Sequence, residues 1–154
     1  MKDRLGLLAA ASGMLLLGLT IFLLYKATTP KVTTVIRGVP GEITWHAWCP
    51  DGRLVFATRN PNILWLKGPK ELRAIANFGG SLCPPDLSYD GKRVALPDGR
   101  SITVVDLDTL QRTRIDMGGP VCDIAWRPGS EELAYATRGG VYIARPGGRG
   151  RPLW

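Results

Sequence analysis

A turn that recurs at a fixed spacing constrains this chain more than any other feature. Trp48-Cys49-Pro50-Asp51-Gly52 joins two apolar runs, Ile43 to Trp48 and Leu54 to Ala57. Proline presets φ near about −65°, aspartate bonds its own backbone, and glycine accepts positive φ. The segment therefore predicts a tight hairpin entered by a large aromatic. Leu87-Ser88-Tyr89-Asp90-Gly91 has the same shape 39 residues later, and Trp126-Arg127-Pro128-Gly129-Ser130 follows after another 39. A period of this size marks an architecture built from repeated units.

The rest of each unit keeps the same period. First strands are expected at Ile43–Trp48, Leu82–Leu87 and Val121–Trp126, and second strands at Leu54–Thr58, Arg93–Leu96 and Leu133–Thr137. Third strands fall at Ile63–Leu66, Ile102–Val105 and Val141–Ala144. The fourth, at Leu72–Ile75, Thr109–Ile115 and Arg151–Trp154, are more polar. Strands apolar on both faces are buried on both, and a polar last strand is an edge facing water. Four strands per repeat, apolar within and polar without, describe a propeller blade. The expected fold is all-β: three four-stranded propeller-like blades, over about 41–79, 80–118 and 119–154, preceded by one transmembrane α-helix. Glycine and proline together make up 31 of 154 residues, which suits many short turns.

The helix is expected at Leu5 to Tyr25, which carries no charge. At about 1.5 Å per residue this run spans roughly 31 Å, the thickness of a bilayer core. A signal peptide has a shorter apolar region, about 7–15 residues, and a small-x-small cleavage site. Here the run ends in Leu23-Leu24-Tyr25-Lys26-Ala27, a poor site. The expected organisation is a short basic N-terminus (1–4), a span held in the lipid bilayer (5–25), an extended tether (26–40) and a β unit (41–154). Lys2 and Arg4 against Lys26, Lys31 and Arg37 leave the positive-inside count close to a tie. The very short basic N-terminus favours the N-in orientation.

The hairpin at 48–52, with Arg53-Leu54-Val55-Phe56-Ala57 and Ile63-Leu64-Trp65-Leu66 after it, resembles the Trp-Ser-Pro-Asp-Gly repeat of TolB-type β-propellers. Ile102-Thr103-Val104-Val105-Asp106-Leu107-Asp108 resembles the third strand of that repeat and its exit. The resemblance covers roughly residues 40–154, with two departures: Leu87 replaces tryptophan, and Gly129-Ser130-Glu131 replaces Asp-Gly. TolB-type propellers are usually six-bladed and periplasmic or otherwise extracytoplasmic. The resemblance thus implies a single-pass protein of the bacterial inner (cytoplasmic) membrane, N-terminus cytoplasmic and C-terminal domain periplasmic.

A closed propeller needs at least about four blades, and large apolar surfaces seldom stay exposed. Three blades leave two outer faces, for which three resolutions stay open. Another membrane protein subunit covers them, the tether and altered end residues cap them, or a homodimer closes a six-bladed ring. The expected function is a non-enzymatic, membrane-anchored interaction module, an accessory or scaffolding subunit of a larger membrane complex such as a respiratory or photosynthetic assembly. The alternative is a self-associating TolB-like propeller that binds a peptide or small ligand in a channel closed by dimerisation.

No catalytic residue, metal or cofactor is expected. His46 is the only histidine, and along a strand it points opposite to Cys49. Two ligands are too few for a closed zinc site. No Gly-x-Ser-x-Gly or Cys-x-x-Cys-His occurs. The net charge of +7 suits an anionic membrane surface, an acidic partner or a solvated basic surface. The arginines are scattered, without a basic helix or an aromatic-and-basic motif, so no nucleic acid partner is expected.

Cys83 and Cys122, 39 residues apart, read either as buried small hydrophobes or as a candidate disulfide. Equivalent points on adjacent blades often exceed the Cα separation limit of about 7 Å. Trp48 and Trp126 read as anchors packing between blades, and Trp65 as core. Trp45, Arg149, Arg151 and Trp154 are candidate partner-interface residues, because aromatics and arginine dominate interface hot spots.

Overall fold

The computed structural model describes residues 36–79, 83–117 and 119–153. The expected membrane helix Leu5–Tyr25, most of the tether and Trp154 lie outside the described residues. Among the described residues no helix is long and apolar enough to cross a membrane.

The regular structure is all β, in three antiparallel sheets of four strands. The first sheet holds β1 (Glu42–Trp48), β2 (Leu54–Arg59), β3 (Ile63–Lys67) and β4 (Leu72–Asn77). The second holds β5 (Asp86–Leu87), β6 (Arg93–Asp98), β7 (Ser101–Asp106) and β8 (Arg112–Asp116). The third holds β9 (Val121–Trp126), β10 (Leu133–Thr137), β11 (Gly140–Ala144) and β12 (Arg151–Pro152). In every sheet strands adjacent in sequence are adjacent in space.

The recurring turns are built as their chemistry dictates. Cys49 N donates to Arg53 O (2.8 Å), Ser88 N to Arg93 O (2.8 Å) and Arg127 N to Glu132 O (2.9 Å). Gly52, Gly91 and Gly129 all take positive φ. Asp51 and Asp90 each accept from the backbone N–H two residues on, at 3.0 Å. In the third turn, where Gly-Ser replaces Asp-Gly, Ser130 Oγ accepts from Glu132 N at 3.0 Å instead. Gly91 also lies so close to the Pro50 ring that a Cβ there would collide with it, which nests the second turn on the first.

Several strands differ from expectation by a residue or two at an end, as β4 reaching Asn77 and β12 stopping at Pro152, and two differ by more, both for local reasons. β5 is confined to Asp86–Leu87, because Pro84 and Pro85 have no N–H to give a ladder. β8 begins at Arg112 rather than Thr109. The Asp106 carboxylate accepts from Thr109 N (2.8 Å), Thr109 Oγ1 (2.9 Å) and Asp108 N (3.0 Å), holding that segment in a turn.

The core lies between sheets rather than within them. One cluster joins Val55, Ala57, Leu64 and Ile75 of the first sheet to Val94, Leu96 and Val105 of the second. The other joins Ala95, Ile102, Val104 and Ile115 of the second sheet to Ile124, Trp126, Leu133 and Tyr135 of the third. Alternate residues of β6 and β7 thus serve opposite neighbours, as the period of a strand requires.

Candidate functional site

The repeat supplies an internal reference for how one sheet meets the one before it. Leu54, Val94 and Leu133 pair directly with Trp48, Leu87 and Trp126, so each of those three points to the face that looks back along the chain. Trp126 is 8% exposed and sits in the second-to-third core. Its backbone N donates to Asp86 Oδ2 (2.8 Å) and its indole Nε1 to Asp86 O (3.2 Å). Leu87, without an indole, packs against the first-to-second core.

Trp48 occupies the same register on the first sheet and is 59% exposed. The expectation that it packs between blades is therefore corrected. Leu54, Phe56 and Thr58, which share its face on β2, are buried, so the exposure belongs to β1 at the margin of the sheet. His46, opposite Phe56, shares this face and is also exposed. Behind the rim, Phe56 stacks on Trp65 with centroids 6.2 Å apart, and Trp65 Nε1 donates to Thr58 Oγ1 at 3.2 Å. Ile43, at the far end of β1, is 46% exposed.

Charged contacts also repeat from sheet to sheet. Arg53, just before β2, reaches forward to Asp108 Oδ1 (2.8 Å) and Leu107 O (3.1 Å) of the second sheet's last turn. Arg93, in the corresponding position, reaches forward to Glu131 Oε1 at 3.0 Å. The next residue in this series is Glu132, so the sign of the charge is reversed.

Glu132 turns inward, its side chain 11% exposed, and faces Arg127 (3.1 Å), Arg145 (3.5 Å) and Arg151 (3.5 Å). Burial pushes its carboxyl up, but the Arg127 hydrogen bond and the charges of Arg145 and Arg151 outweigh this and hold it below the ordinary glutamate value. A cleft of about 330 Å³ opens here, lined by Glu132, Ile143, Arg145, Arg149 and Arg151.

Of the candidate interface residues, Arg149 and Arg151 come together on this cleft. Trp45 does not join them: it is half-buried and packs against the first-to-second core. Cys83 is a buried thiol donating to Pro84 O at 3.5 Å, and Cys122 is an exposed one. Burial, then Asp123, Cys122 and Asp86, push Cys83 up to about 11. Sequence reasoning missed Arg127, Glu132 and Arg145. The 39-residue period leads from Arg53 to Lys92 and Glu131, and only the turn hydrogen bonds align Glu132 with Arg53 and Arg93. Among the described residues no three histidine, cysteine or acidic side chains group as a metal site would require.

These features define a repeat protein of three antiparallel four-stranded sheets, with an aromatic rim at one end and a basic cleft on the other terminal sheet. No protein-family model matches the sequence, and no curated protein matches it.

Proposed function

We propose that this chain is a non-enzymatic, membrane-anchored interaction module whose three sheets are TolB-like propeller blades completed by another protein. In this reading Leu5 to Tyr25 anchors it, the β unit stands on the extracytoplasmic face of the bacterial inner membrane, and the chain is an accessory subunit of a larger membrane complex. The observation that carries the reading is the contrast between Trp48 and Trp126. They are the same residue at the same register, one 59% and the other 8% exposed. Trp126 also supports a specific receptor chemistry: a β-strand edge offering a carbonyl and a carboxylate, as Asp86 does. Exposed tryptophans on apolar sheet faces are typical anchors of interfaces.

A second reading, closure by another copy of this chain, is favoured by the half-buried or exposed Ala134, Ala136, Val141 and Ile143 on the forward face of the third sheet.

The test is purification of the full chain from its native membranes, wild type beside Trp48→Ala, with masses read by mass photometry. A different chain retained by wild type and lost from the variant is the expected result. A dimer of this chain would select the second reading, and a solitary monomer would overturn both.

A further inference from the structure

We infer that the cleft walled by Arg145, Arg149 and Arg151 on the third sheet binds a phosphate-type oxyanion, whether carried on a lipid headgroup or free. The inference stands apart from the Trp48 interface. It begins with the reversed charge in the repeat. Arg53 and Arg93 spend their guanidiniums on acids of the following sheet, Asp108 and Glu131. Glu132, at the same position, instead gathers guanidiniums from its own sheet.

The carboxylate is fixed. Its backbone N–H is held by Ser130 Oγ at 3.0 Å, and its side chain is only 11% exposed. The arginines around it are not used up. Arg145 Nε and Arg151 Nη2 both approach the same oxygen, Oε1, at 3.5 Å, while Arg127 Nη1 takes Oε2 at 3.1 Å. These three side chains are 71%, 70% and 67% exposed respectively. A guanidinium carries more N–H donors than one such contact uses.

Arg149 adds a further cation and has no ion pair among the described residues. The adjacent Glu131 is engaged by Arg93 at 3.0 Å, so it does not neutralise the cleft. Three arginines of the cleft lining therefore stand against one carboxylate, which Arg127 pairs with from outside the lining.

Separate guanidiniums can meet the several oxygens of a tetrahedral oxyanion, and arginine pairs with phosphate as readily as with the Glu132 carboxylate it already holds. The space of about 330 Å³ admits a phosphoryl group with an ester substituent. Ile143, lining the cleft, provides an apolar wall for that substituent. Glu132 acts as a permanent internal counter-anion that aims the arginines in the absence of ligand.

The test uses the full chain in neutral detergent at constant ionic strength, titrated with inorganic phosphate by calorimetry. Saturable one-to-one binding, beyond any response to chloride, is expected. Arg149→Ala with Arg151→Ala should weaken it at least about tenfold, the loss of one charge-assisted hydrogen bond or more. Arg73→Ala, a basic residue of the first sheet, should leave it unchanged. Glu132→Gln removes the internal competitor and should tighten it. If that variant does not fold, Arg149→Ala alone decides, since Arg149 makes no ion pair that the fold depends on. Equal losses from Arg73→Ala and the cleft variants, or no binding above chloride, would overturn the site. Phosphatidylglycerol doped into the micelles separates the sources: displacement of phosphate assigns the cleft to headgroups, and phosphate binding without displacement assigns it to a free anion.

Discussion

Glu132 is the residue where a small change in the repeat has the largest local effect. Its folded pKa lies below the ordinary value of 4.5 because Arg127, Arg145 and Arg151 outweigh its burial. A carboxyl lowered on folding contributes stability above its unfolded pKa and loses it as the pH falls through the folded one. Thermal unfolding followed from pH 7 downward should thus show wild-type Tm falling below pH 4.5 more steeply than that of Glu132→Gln.

The cysteines give the opposite sign. Cys83 is raised from 9.0 to about 11, chiefly by burial, so its contribution is present below pH 9 and fades as the pH rises toward 11. At pH 8 its thiol stays protonated and shielded, as does that of buried Cys49, which burial also raises. Iodoacetamide should therefore label Cys122 in the native protein and reach Cys49 and Cys83 only in denaturant, as read by mass spectrometry. The spacing of 39 makes Cys83 and Cys122 look equivalent, but equal spacing along a chain is not equal placement in a sheet. Pro84 and Pro85 keep Cys83 off the strand, while Cys122 lies on β9.

At the scale of elements, the hairpins and their strand order are legible in the residues, because proline, aspartate and glycine act through local geometry. Even the Gly129-Ser130 departure keeps the turn, since serine takes over the aspartate's hydrogen bond one position later. What local rules do not carry is the environment of a face. Trp45 and Trp48 look alike in sequence, yet Trp45 faces the second sheet and Trp48 faces away from it. Burial depends on whether a neighbour stands opposite, and that is a property of the array. The contrast predicts different costs for one substitution. Trp126→Ala should destabilise the protein by about 3–5 kcal/mol, the range for large buried aromatics. Trp48→Ala in the isolated chain should stay within about 0.5 kcal/mol, as exposed sites do. Urea unfolding of the two variants measures both. An equal cost for the two would mean that Trp48 already has its cover.

At the scale of the whole β unit, the 39-residue period made three similar sheets and an apolar interior legible. The basic cleft was legible only in part. Arg149 and Arg151 stood out beside the C-terminal aromatic, whereas Arg127 and Arg145 reach Glu132 through a hairpin and a strand exit that sequence proximity does not join. The arrangement of the two cores has a consequence for how the molecule opens in time. The second sheet contributes to both clusters, and each outer sheet contributes to one. Losing the first or the third sheet leaves one face of the second still covered, but losing the second uncovers both of its neighbours. Amide exchange should accordingly be slowest along β6 and β7, where Val94, Ala95, Leu96, Ile102 and Val105 have no exposed surface, and fastest in the two-residue β12 and along β1. Exchange that emptied all twelve strands at a single rate would instead make the three sheets one cooperative unit. Under the graded pattern either outer sheet can breathe and present its edge to another molecule while the middle sheet holds the chain in its native register.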